Sequence, residues 1–180
     1  MDHPAPTPGV YDIPAAKYHA DPVPGGSLSS TGARRLLPPS CPALFRWKRD
    51  HPEPPKDVFD LGTAAHSLVL GAGSELAVVD ADNWKTNKAK EAMACARSEG
   101  RVPLLRADHL RVQAMAAALR QHPIASALFS DGKAEQTLVW QDEPTGVWCR
   151  AMLDWLPNRQ PGKRLIVSDF KTAASAAPSA

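Results

Sequence analysis

The spacing of hydrophobic and polar positions changes character near residue 134. Upstream, apolar residues recur at intervals of three and four. Val58, Leu61, Ala65, Leu68 and Val69 predict a helix that closes at Gly71, a residue that readily takes the left-handed conformation of a helix end. Leu110, Val112, Met115, Ala118 and Leu119 predict an amphipathic helix over Ala107 to His122, ended by Pro123, with a further turn or two over Ile124 to Phe129. A helix rich in Ala and Met is expected from Lys85 to Ser98, ending at Gly100. Nearer the start, hydroxyls in Ser27 to Thr31 can cap a short helix over Ala33 to Leu37, and Pro42 can open another through Trp47. Downstream the period drops to two. Thr137 to Trp140, Val147 to Leu156 and Arg164 to Thr172 read as strands, separated by turns at Asp142–Gly146 and Pro157–Gly162. The expectation is an α/β (α+β) core over residues 27–172, with helices in 27–130 followed by a mostly antiparallel three-stranded meander in 134–172. Six prolines in residues 1–26 predict an extended, poorly ordered arm, and 173–180 is a low-complexity tail.

The third expected strand carries the candidate chemistry. Asp169 and Lys171 flank Phe170, so alternation puts both on one side of the strand, about 7 Å apart. A turn centred on Pro161 and Gly162 sets Asp154 directly across from Asp169, and a slip of one residue would turn Asp154 to the opposite face. Facing carboxylates repel unless neutralised, and a divalent cation does this. Mg²⁺, with Mn²⁺ as a substitute, prefers such oxygen ligands. An ammonium beside a metal-bound water can orient or deprotonate it, or balance the charge on a phosphate under attack. Asp-x-Lys alone is a common tripeptide and more often a solvated strand-end ion pair. An apolar lead-in at Leu165–Val167 and the Asp on the preceding strand favour the chemical reading.

Composition narrows the setting. A net charge of +2 and a pI near 8.5 permit a polyanionic partner without demanding one. Cys41, Cys95 and Cys149 form neither a CxxC pair nor a disulfide framework, which fits a reducing cytoplasm. No apolar run approaches the roughly 20 residues of a membrane span, and the N-terminus lacks a signal pattern, so an unexported protein without membrane contact is expected. Arg34, Arg35, Arg46, Lys48, Arg49, Lys85, Lys88 and Lys90 are candidates for phosphate contacts, or an ordinary solvated face. Trp47, Trp84, Trp140, Trp148 and Trp155 are core residues or a base-stacking platform.

Three ordered motifs resemble the RecB-like branch of the PD-(D/E)xK nucleases, and in particular the RecE-like phage exodeoxyribonucleases. Gly62-Thr-Ala-Ala-His66 is similar to that family's helix motif, Cys149-Arg-Ala-Met-Leu-Asp154 to its first catalytic strand, and Val167-Ser-Asp-Phe-Lys-Thr172 to its Asp-x-Lys strand. Weaker likeness at Tyr18–Asp21, Leu28–Ser30 and Lys133–Thr137 extends the resemblance from residue 18 to 172. It implies a restriction-endonuclease-like core in which His66, Asp154 and Asp169 hold metal and Lys171 positions the attacking water. A lone helical His is otherwise more often a core or surface residue. Glu135 matches an acidic position of the family's first strand and is an additional candidate, or a solvated strand end. The resemblance further implies Mg²⁺-dependent duplex-DNA resection in phage recombination, an annealing-protein partner and a ring-shaped homo-oligomer. A structure-selective or single-strand nuclease and a non-catalytic DNA-binding module are the alternatives. The family pattern continues into a helix and strand that Ala173 to Ala180 do not supply, which marks an expected truncation point.

Overall fold

The computed structural model describes residues 7–51 and 60–173. The chain divides into two compact units, one of Met1–Pro55 with Glu135–Leu153, the other of Lys56–Ala134 with Asp154–Ala180.

In the first unit, strand β1 (Gly9–Tyr11) is followed by three short helices, α1 (Ala15–His19), α2 (Ser30–Arg35) and α3 (Pro42–Asp50). The Ser29 side chain accepts the Gly32 N–H to cap α2, and Pro42 opens α3, as their sequences predict. Strands β4 (Gly132–Gln141) and β5 (Trp148–Pro157), which continue into the second unit, join β1 in a sheet of order β1-β4-β5. Strand β1 runs antiparallel to β4, with Val10 opposite Leu138. Residues 9–19 of the expected extended arm therefore form a strand and a helix turn, and Val23 is buried. The prolines exclude long elements there but leave room for these short ones.

The second unit contains α4 (Asp60–Leu70), β2 (Leu76–Val79), α5 (Asn87–Ser98), β3 (Val102–Leu105), α6 (Arg106–Gln121) and α7 (Pro123–Leu128). Its core is Ala64, Ala65, Leu104 and Val112, with Leu61, Leu68, Met115 and Phe170 packed against it. Helix α4 stops at Gly71 (φ 68°), and the Arg120 guanidinium of α6 donates to the Leu68 carbonyl near that end.

Two expectations need correction. The region expected to be wholly helical contains β2 and β3, paired in parallel with Leu76 opposite Val102. The expected third strand, Arg164–Thr172, makes no ladder: its one bridge is antiparallel, Trp155 with Ser168. Leu165, Ile166 and Val167 are 48%, 56% and 44% exposed, because strand propensity without a buried face or a paired neighbour does not build a strand. The observed bridge nevertheless keeps the register that a turn at Pro161–Gly162 requires, and Gly162 has φ 73°. The three cysteines are free thiols. Among the described residues no helix is long and apolar enough to cross a membrane.

Candidate functional site

Small residues on α4 bring this helix close to the Asp-x-Lys segment. Ala64 and Ala65 are fully buried in the core against which Phe170 packs, and a Cβ added at Gly62 would lie 3.5 Å from the Thr172 hydroxyl oxygen. That is ordinary contact, whereas larger side chains at Ala64 and Ala65 would force the helix away. One residue beyond Ala65, His66 meets strand β5: its Nε2 lies 3.0 Å from Asp154 Oδ1. The other carboxylate oxygen, Oδ2, accepts the Phe170 backbone N–H at 2.7 Å. Asp154 is therefore held from two sides, by a helix imidazole and by the backbone of the residue between Asp169 and Lys171.

Alternation along the segment is visible despite the missing ladder. Ser168 is buried and Phe170 half-buried, whereas Asp169 and Lys171 are exposed. These last two do share a side, with Lys171 Nζ donating to Asp169 Oδ1 at 2.8 Å. Phe170 anchors the segment in the core, and its ring centroid is 6.4 Å from that of His66.

The electrostatics of Asp154 follow from this cage. Its side chain is only 10% exposed, and burial pushes its carboxyl up. Hydrogen bonds from His66 and the Phe170 N–H, with the charges of His66 and Lys171, outweigh that and hold it below the ordinary carboxylate value. Asp154 is consequently an anion at neutral pH.

The structure brings together His66, Asp154 and the Asp169–Lys171 segment, but does not converge all the expected metal donors. Among the described residues no three His, Cys, Asp or Glu side chains gather as a ready cation site. Asp169 is engaged by Lys171, and His66 Nε2 by Asp154. The donor chemistry still suits a divalent ion. An imidazole nitrogen and an anionic carboxylate oxygen stand 3.0 Å apart. Adjacent ligands on one octahedral ion lie at about the same separation, given metal–ligand distances near 2.1 Å. Glu135 belongs to the first unit, where it is half-buried with φ 50°, an uncommon backbone conformation for a non-glycine residue.

Sequence reasoning overlooked two features. One is the Phe170 N–H as a donor to Asp154, foreshadowed only by the register that puts residues 154 and 169 opposite each other. The other is a polar knot in the first unit: Asp21 accepts from the Ser27 N–H (2.7 Å), the Ser27 hydroxyl (2.8 Å) and Arg150 (2.7 Å). The Arg150 guanidinium also lies over the Tyr18 ring, 5.3 Å from its centroid. Both ends of this knot fall in stretches of noted family likeness, Tyr18–Asp21 and Cys149–Asp154, which was the available signal.

A mixed α/β fold with an antiparallel sheet is consistent with a PD-(D/E)xK-like class. The chain belongs to the family described as a PDDEXK-like domain of unknown function (DUF3799), whose model matches residues 34–180. This membership places it in a nuclease-type superfamily. No curated protein and no solved structure matches the chain.

Proposed function

We propose that the chain is the catalytic core of a Mg²⁺- or Mn²⁺-dependent deoxyribonuclease, acting as an exonuclease on duplex DNA ends in phage recombination. The chemistry rests on one observation, the buried Asp154 anion held between His66 Nε2 and the Phe170 N–H beside an Asp169–Lys171 pair. The ion would be held by His66, Asp154 and Asp169, and when bound it would supply Lewis acidity and a more acidic water. Asp154 is pre-ionised for this by its partners. His66 must release its hydrogen bond to Asp154 to offer Nε2 as a ligand, and Asp169 must release Lys171. That release leaves the Lys171 ammonium, 76% exposed in its side chain, to orient a water or meet a phosphate oxygen. The exonuclease mode, the recombination setting, an annealing-protein partner and a ring oligomer extend this reading from the RecE-like motifs.

The test is digestion of blunt duplex, nicked duplex and single strands with and without Mn²⁺. Metal-dependent loss of duplex from its ends supports the proposal, and preference for single strands would move the chain to a single-strand or structure-selective nuclease. A second reading is a non-catalytic DNA-binding module. DNA binding without cleavage at any Mn²⁺ concentration would select it.

A further inference from the structure

Helix α3 presents an aromatic surface that the nuclease chemistry does not use. Trp47 is 54% exposed, an unusual placement for an indole. Its neighbour one turn on, His51, stacks on it with ring centroids 4.8 Å apart and planes 16° from parallel. His51 Nδ1 is also 2.9 Å from the Trp47 carbonyl oxygen, so the imidazole is fixed at both ring and backbone. With His51 stacked on the indole and Trp47 still about half exposed, ring surface remains open to a flat ligand.

Among the described residues, the sequence of α2 and α3 is rich in cations. Residues 34–51 contain five cations, Arg34, Arg35, Arg46, Lys48 and Arg49, against one carboxylate, Asp50. Asp50 is shared by Arg46 at 2.6 Å and Arg49 at 3.7 Å, so a single anion offsets two guanidinium groups. Between α2 and α3 lies a pocket of about 540 Å³, not lined by Trp47, whose lining includes Arg35, Lys48 and Arg49 together with the Asp21–Arg150 pair. An open π-face among excess positive charges matches a ligand that alternates flat rings with negative charges.

We propose that helix α3 binds unpaired nucleic acid, with a base stacked on the free face of Trp47 and the flanking phosphates met by the α2–α3 cations. A duplex cannot satisfy this surface equally, because its bases are stacked on one another and present only edges. The proposal goes beyond the nuclease reading: it requires no metal, and binding is measured separately from cleavage.

The test uses the full chain in EDTA, titrated with a short oligothymidylate, an abasic deoxyribose-phosphate strand of equal length, and a duplex. Stacking on one aromatic side chain is worth about 1 to 3 kcal/mol, so Trp47→Leu should weaken oligothymidylate binding about tenfold. Trp47→Phe should keep most of the affinity. Abasic binding should be unchanged in both variants and fall with salt. Because Trp47 is exposed, its replacement should leave the circular dichroism spectrum and unfolding midpoint unaltered. Equal losses for oligothymidylate and abasic strand, no loss in Trp47→Leu, or wild-type preference for the duplex would each overturn the proposal. Absence of nuclease activity alongside Trp47-dependent binding would sink only the nuclease reading.

Discussion

Asp21 in the first unit and Asp154 in the second are both shielded carboxylates, and the two are partnered differently. Asp21 in the first unit accepts two hydrogen bonds from Ser27 and meets Arg150, a cation that keeps its charge at any ordinary pH. With the Val23 N–H also donating to it at 3.3 Å, the arrangement pins the turn before α2. Asp154 in the second unit has an imidazole and one backbone N–H. The imidazole can surrender its proton and turn into a metal ligand. On the proposed function Asp21 is a structural carboxylate, and Asp154, whose imidazole partner can itself ligate a metal, is a chemical one. Their substitution should therefore fail in different ways.

The largest effect is expected on catalysis. Asp169→Asn or Lys171→Ala should lower the single-turnover cleavage rate by about a thousandfold, since each removes a charge from a site with little redundancy. The unfolding free energy should barely change, because both side chains are exposed. Next comes Arg150→Ala, which leaves Asp21 shielded without its cation. Urea titration should show a loss of about 3 kcal/mol, and any fall in activity should track the unfolded fraction. A variant as stable as the parent would break the contrast between the two aspartates.

Much of this architecture was legible in the sequence, and the exceptions share a cause. Helices α4, α5 and α6 end at Gly71, Gly100 and just before Pro123, where residues with fixed backbone preferences stop the periodic pattern. Strands β4 and β5 declare themselves by β-branched and aromatic residues around a turn. Strands β2 and β3 did not, because four residues give almost no period and Val102–Leu105 contains Pro103. Conversely, Arg164–Thr172 has strand composition but lacks the neighbours that would pair it along its length. The site divides in the same way. Alternation and turn geometry placed Asp154, Asp169 and Lys171 on neighbouring segments. Nothing local singled out His66, whose position beside Asp154 depends on how close Ala64 and Ala65 let α4 approach. Val58 lies outside the described residues.

Smaller effects sharpen the comparison. His66→Ala should leave cleavage possible but raise the Mn²⁺ concentration for half-maximal rate by about tenfold or more, as expected when one of several metal ligands is lost. An unchanged metal titration would return His66 to a packing role. The smallest effect is in acid stability. The carboxyl of Asp154 is held below its ordinary value, so its contribution is fully present above pH 3.8 and disappears as pH falls through the lowered folded value. Asp154→Asn should flatten that acid limb of stability against pH while changing the slope near neutrality little. An acid limb identical to that of the parent would show that His66 and the Phe170 N–H do not favour the ionised form.

The most direct measurement is a crystal structure of the Mn²⁺-loaded protein, with the ion located by anomalous scattering. The expected result is Mn²⁺ about 2.2 Å from His66 Nε2 and from carboxylate oxygens of Asp154 and Asp169, with Lys171 released from Asp169. Mn²⁺ bound elsewhere, with the His66–Asp154 and Lys171–Asp169 pairs intact at saturating metal, would contradict it.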